Sequence, residues 1–157
     1  MFGMDARTPV ERSQLFRNVT PREVYDVVVD FEQYPRLFPE IKNVRVIART
    51  PERMRVEFRA DKLLPVRYVL DLTLDPVAFT VDWVYVEGEV VTDSSGGWRF
   101  RPESGGVRVD YRASAKVKAP LPGFVLRKIT DALVSASLPG MFASIEAEVH
   151  RRRPGAA

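Results

Sequence analysis

Val107-Arg108-Val109-Asp110-Tyr111-Arg112-Ala113-Ser114-Ala115-Lys116-Val117 alternates apolar and polar side chains almost without a slip. Successive side chains of a strand point to opposite faces, so this segment has one apolar face and one polar face. The same period runs back through the chain. Met54, Val56, Phe58 and Ala60 alternate with Arg55, Glu57, Arg59 and Asp61. Val66, Tyr68, Leu70, Leu72 and Leu74 alternate with Arg67, Asp71, Thr73 and Asp75. Shorter runs follow the same rule at Val44–Ala48, Phe79–Tyr85 and Trp98–Phe100. Together they predict a curved antiparallel sheet with one continuous apolar face. Beyond it the period becomes helical: Leu126, Ile129, Leu133 and Ala136 share one face, then Phe142, Ile145 and Val149 continue in shifted phase. Pro139 would remove a bond to the Ser135 carbonyl, so a long kinked C-terminal helix is expected over the sheet. A curved sheet closed by one helix tends to enclose a pocket. Alternation alone does not separate a cavity from a solid core.

Upstream, Val10–Val19 reads as a first strand at a sheet edge. Thr20 as N-cap, Pro21 at the first helical position and Glu23 completing a capping box mark a helix start. Val24, Val27, Val28 and Phe31 form its buried stripe. Pro35 and Pro39 limit the aromatic stretch Phe31–Ile41 to a short second helix or hook. Turn signals stand at Thr50-Pro51, Asp75-Pro76, Ser94–Gly97 and Ser104–Gly106, which puts the Gly96-Gly97 pair in a hairpin connection. The fold class is therefore α+β: six or seven strands, two short helices after strand 1, and the C-terminal helix. One domain is expected over residues 10–150, between an N-terminal tail (1–9) and a basic C-terminal tail (151–157).

Composition removes several chemistries. Cys is absent and His150 is the single histidine among 157 residues, so thiolate metal sites, cysteine nucleophiles and Ser-His-Asp triads have no material. No metal and no cofactor are expected. The first residues lack the apolar centre of a signal peptide, and no apolar run approaches membrane-spanning length. The expected location is the cytoplasm. A net charge of +3 suits solubility, and Arg151-Arg152-Arg153 is the one basic run. A short basic terminus is ordinarily solvated, so the expected partner is a hydrophobic small molecule in preference to nucleic acid or the ribosome. Oligomeric state has no signature in the sequence.

Asp30-Phe31-Glu32-Gln33-Tyr34-Pro35 followed by Phe38-Pro39, directly after a capped helix, resembles the START-like (SRPBCC) superfamily, whose helix-grip fold is also that of Bet v 1. Gly97-Trp98 with Phe100 and Pro102 is similar to a late-strand motif of its polyketide cyclase/dehydrase and coenzyme-Q-binding branch. The resemblance spans roughly Val10 to Val149. It implies the helix-grip fold and a function among ubiquinone-like lipid binding, aromatic polyketide cyclisation and ribosome-association toxin-like interaction. Glu40 departs from the branch, where an aromatic residue and a cysteine are usual, and the connection Glu87–Gly96 is longer and more polar.

Inward parity assigns the candidate ligand-binding residues. From the hook these are Tyr34 and Phe38. From the strands they are Met54, Phe58, Tyr68, Leu70, Leu72, Phe79, Val81, Trp83, Tyr85, Trp98, Phe100 and Tyr111. Leu126, Ile129 and Leu133 come from the helix. Such a lining could hold a lipid, an isoprenoid quinone or a polyketide-like aromatic; burying ten methylenes would yield up to about 8 kcal/mol before ordering costs. The competing enzyme reading is a cofactor-free polyketide cyclase or dehydratase in which Glu87, Tyr68, Tyr85 and Tyr111 are the candidate catalytic groups. Arginines on the outward parity argue against it. Leu63-Leu64 and Leu121–Phe124 are apolar where loop tips are normally polar, and suit a portal in peripheral contact with a membrane surface.

Overall fold

The computed structural model describes residues 4–5, 10–61 and 64–154; the side chains of residues 4, 5 and 132–134 lie outside the description. The elements run β1 (Met4–Asp5), β2 (Val10–Arg17), α1 (Pro21–Val28), a 3-10 turn (Phe31–Gln33), α2 (Tyr34–Leu37), β3 (Ile41–Arg49), β4 (Arg53–Asp61), β5 (Pro65–Asp75), β6 (Thr80–Glu89), β7 (Val91–Glu103), β8 (Gly106–Val117), α3 (Gly123–Val134) and α4 (Leu138–Arg151). Each neighbouring pair in the sheet is antiparallel, in the order β8-β7-β6-β5-β4-β3. β1 and β2 both pair with β8, so they share the edge beside it and the sheet has seven positions across. This is the antiparallel sheet that the alternation predicts, in the helix-grip arrangement that the family resemblance implies.

Local chemistry explains the starts and turns. The Thr20 hydroxyl accepts the Glu23 amide at 3.2 Å, and the Glu23 carboxylate accepts the Thr20 amide at 2.9 Å. That reciprocal box lets α1 bury Val24, Tyr25, Val27 and Val28 against the sheet. At Asp75-Pro76 the Asp75 carboxylate accepts the amides of Val77 and Ala78 at 3.0 and 2.9 Å. Between β7 and β8, Gly105 takes φ 86°, which glycine adopts without a Cβ penalty.

Three expectations are corrected. Ser94–Gly97 is no turn: it lies inside β7, which pairs with β8 from Val91↔Val117 to Glu103↔Gly106. Gly96 is there for close approach, since a Cβ on it would stand 2.5 Å from Trp83 Cζ2. The C-terminal helix is interrupted and not merely kinked. The Ser135 and Ala136 amides both reach the Asp131 carbonyl at 2.8 Å, and Pro139 falls in the first turn of α4, where its missing donor costs no helical bond. The basic terminus is no solvated tail. Arg151 is helical; Arg152 bonds Asp30 at 2.9 Å and Arg153 bonds Glu23 at 2.8 Å. These arginines staple α4 to α1 because the acidic partners lie beside its last turn.

Buried apolar side chains fall in two clusters. The larger joins α1, α2 and α4 to the sheet around Phe16, Phe100 and Phe142. The smaller, with Ala60, Val66, Val91, Val117, Leu126 and Ile129, sits under α3.

Candidate functional site

Between the two clusters the inward face of the sheet opens into a cavity of about 170 Å³. Small inward residues make the room: Ala60, Ala113 and Ala115 stand where longer side chains would fill it. One wall is an aromatic chain from the hook to the sheet. Phe31 meets Tyr34 at 5.2 Å, Tyr34 meets Phe38 at 4.8 Å, and Phe58 stacks on Tyr68 at 5.3 Å. The opposite wall is Trp83, Trp98 and Tyr111, with Trp98 and Tyr111 centred 4.5 Å apart. Leu70, Leu72 and Val81 form the floor, and Leu64, Ile129, Ser137 and Met141 close the α3–α4 side. The interruption between α3 and α4 lies over the cavity, so Pro139 shapes its roof.

The polar groups are few. Tyr34 donates to the Val28 carbonyl. Trp83 Nε1 donates to Ser94 Oγ at 3.2 Å. Among the described residues the Tyr68 and Tyr111 hydroxyls have no hydrogen-bond partner. Both side chains are enclosed by protein yet keep accessible surface, which faces the cavity. Burial pushes the Tyr68 phenol up to about 12, with a smaller contribution from the Glu40 carboxylate. Burial also raises Tyr111, and Tyr34 likewise, with their phenolic neighbours adding to it. All three therefore stay protonated at neutral pH and act as donors. Glu40, half-buried, is the one formally charged lining residue among those described.

Of the residues read as inward, Tyr34, Phe38, Phe58, Tyr68, Leu70, Leu72, Val81, Trp83, Trp98, Tyr111 and Ile129 line the cavity, and so does Leu64 of the expected portal. Others lie elsewhere, for separate reasons. Met54 and Phe100 are consumed by the larger cluster, Phe100 against Trp98 and Tyr25. Leu126 is buried in the smaller one. Phe79 has φ 57° in the β5–β6 turn and packs on Tyr25, under Arg22. Tyr85 turns its hydroxyl to the Val91 carbonyl at 2.8 Å. Leu121 and Phe124 are exposed, at 38% and 58%. The Leu63 backbone and side chain and the Leu133 side chain lie outside the described residues.

Glu87 is the main correction. A bulge in β6 pairs Val69 with Glu87 but Leu70 with Tyr85, so one extra residue, Val86, reverses the parity. Glu87 thus points away from the cavity and bonds Arg67 at 3.2 Å, its side chain 63% exposed. The outward parity of the arginines also has an exception. Arg12, opposite Tyr111 on β2, lies on the inner face with its guanidinium 5.1 Å from the Phe142 ring centre and bonds Gln14 at 2.9 Å. Its signal was present: Arg12, Gln14 and Phe16 share one parity. Glu40, Ser94, Ala113 and Ala115 also line the cavity, outside the expected set: large apolar side chains advertise an inward face, whereas small and polar residues create and mark the space within it.

Among the described residues no group of His, Asp or Glu is placed to hold a metal, and no helix is long and apolar enough to cross a membrane. The arrangement can do two things: exclude water from a ring-sized apolar group, and offer it two phenolic donors and one carboxylate.

Comparisons with known proteins agree with this fold. A family described as polyketide cyclase / dehydrase and lipid transport matches residues 18–142. The fold is similar to the Zhui aromatase/cyclase from a Streptomyces species, at 17% identity over 95% of this chain and 97% of that one, TM-score 0.83. It is similar to a START superfamily protein from Mycobacterium smegmatis, at 18% identity over 93% and 99%, TM-score 0.72. A STAR-related lipid transfer protein from Xanthomonas axonopodis aligns at 13% identity over 88% and 84%, TM-score 0.67. No curated protein sequence matches the chain. At these identities the structures speak for the fold.

Proposed function

The chain belongs to the polyketide cyclase / dehydrase and lipid transport family, and from that premise we propose that it holds a hydrophobic small molecule of one or two fused rings in the cavity beneath α3 and α4, as its carrier, chaperone or sensor. The cavity carries this reading. At about 170 Å³ it is close to the ~150 Å³ apolar void that takes up benzene, and below the ~300–1,000 Å³ of sites for larger ligands. A ring system suits that volume better than an extended acyl or isoprenoid tail. Leu64 beside it, with exposed Leu121 and Phe124 flanked by Lys118, Arg127 and Lys128, supports a portal that rests on a membrane surface while ligand passes.

A second reading is cofactor-free cyclisation or dehydration. It is favoured by the two unpartnered phenols, with Glu40 in the role expected of Glu87. The basic terminus offers little to an interaction with ribosomal RNA, because Arg151, Arg152 and Arg153 are each ion-paired within the chain.

Native mass spectrometry of protein taken from cells, followed by organic extraction, tests the main reading. A co-purifying ring compound, or a thermal shift from one- and two-ring aromatics, is expected. Finding neither would sink it.

A further inference from the structure

In a chain of net charge +3, the described residues that line the cavity carry a formal charge of −1. Among the described residues no Lys, Arg or His lines it; Glu40 is its one charged residue. Arg12, opposite Tyr111 on the inner face, is not a lining residue: its guanidinium bonds Gln14 at 2.9 Å and covers the Phe142 ring, although its Nε is unpartnered. The other nearby cations are committed elsewhere. Lys42 donates to the Pro39 carbonyl at 2.9 Å. Arg36 on α2 forms a two-point bond to Glu148, at 3.2 and 2.7 Å. Arg45 and Arg67 hold Glu57 on the outer face of the sheet at 3.3 and 2.6 Å. Inside, the Tyr34 hydroxyl is spent on the Val28 carbonyl and Ser94 accepts from Trp83, and Ser137 is a further lining hydroxyl; the Tyr68 and Tyr111 hydroxyls are donors and the Glu40 carboxylate is an acceptor. Glu40 is close enough to Tyr68 for its charge to act on the phenol.

We infer that the cavity selects its ligand by charge, with Glu40 as the discriminating residue: it admits neutral ring compounds that carry an oxygen acceptor and cationic ring compounds, and rejects carboxylates and phosphates. This deepens the proposed function and rests on it. A ligand carbonyl or phenolic oxygen can accept from Tyr68 and Tyr111, two donors that otherwise stay unpaired. A hydroxyl or ammonium on the same ligand can donate to Glu40. A carboxylate entering the cavity could accept from the same two phenols, but it would lose its hydration, meet no cation among the described lining residues and face a like charge in a medium of reduced dielectric. Free fatty acids and phosphorylated head groups are therefore poor ligands on two counts, shape and charge.

Three probes of one ring skeleton separate the terms: 2-naphthol (neutral), 2-naphthoate (anionic) and 2-naphthylmethylammonium (cationic), titrated calorimetrically at neutral pH. The chain has two tryptophans, Trp83 and Trp98, and both line the cavity. Their indole N–H resonances locate any binding there. The naphthoate should bind at least about tenfold more weakly than the naphthol, and the ammonium at least as well as the naphthol. Glu40→Gln should narrow the anion penalty and weaken the cation, each by about fivefold or more. Lys42→Gln, outside the lining, should leave both ratios in place. Equal binding of naphthoate and naphthol would overturn charge selection, as would ratios unmoved by Glu40→Gln or moved as far by Lys42→Gln. Each of those results leaves the ring-binding reading standing, provided the indole signals shift. If no probe moves them, the cavity reading falls and this inference falls with it.

Discussion

Beneath α4, Phe142 meets Phe16 at 6.0 Å and Trp98 at 5.5 Å, and the Arg12 guanidinium covers its ring at 5.1 Å. Towards α3 the inward positions of the same sheet include Ala60 on β4 and Ala113 and Ala115 on β8, and a cavity opens above them. Polar groups divide the same way. At the packed end Glu148, 3% exposed, is bonded by Arg36, Arg151 and Arg152; the buried Arg12 Nε is the exception that lacks a partner. At the open end two phenols wait without one. Both ends belong to one sheet with one alternating pattern. The difference lies in side-chain size at inward positions, and it separates the part that holds the fold together from the part that leaves room for a guest.

The sharpest way to break this contrast is Phe142→Ala. Removing a fully buried ring from the packed end should cost about 3–5 kcal/mol in urea unfolding. A loss under 1 kcal/mol would mean the α4 end is not the anchor.

Glu148→Gln comes next, at about 1–3 kcal/mol near neutral pH, because three partly exposed arginines lose a buried charged acceptor. Arg151 first, then Arg36 and Arg152, hold the Glu148 carboxyl well below its ordinary value of 4.5, and Arg153 lowers Glu23 to about 2. Folded values below the unfolded ones give stability that is full above pH 4.5 and lost as pH falls through the folded values. The wild-type Tm should therefore drop between pH 4.5 and about 2, and Glu148→Gln should flatten that slope. An unchanged slope in thermal scans would remove Glu148 from the clamp.

Ala115→Leu tests the open end. Filling the cavity should weaken 2-naphthol binding at least tenfold while stability moves by under about 1 kcal/mol, because the added side chain enters existing space. Calorimetry and urea unfolding on one preparation decide it. The smallest effects come from the tyrosines. Tyr34→Phe loses its bond to the Val28 carbonyl and should cost about 1 kcal/mol. Tyr68→Phe and Tyr111→Phe remove hydroxyls that have no hydrogen-bond partner among the described residues, so stability should stay within about 0.5 kcal/mol or rise. Equal losses from all three would contradict the partner assignment.

Much of the site followed from parity, and its errors have local causes. Tyr68, Trp83 and Tyr111 lie on regular runs, and the period of two places them inward. Glu87 follows a bulge that no local residue announces, since Val86 is an ordinary strand former. Gly96 looked like a turn because the sequence does not display the Trp83 ring that crosses it. Glu40 follows a proline in the hook, beyond the reach of any periodicity.

The order of apolar and polar residues determined the strands, the capped first helix and the helical cover, because backbone geometry alone converts a period of two or of 3.6 into a face. Tertiary structure alone decided where that face is filled and where it is hollow. It also decided which arginines are spent on Glu148 and Glu23, and that Glu40 and not Glu87 reaches the interior. Those outcomes depend on how side chains distant in sequence share one volume, and no local pattern encodes volume.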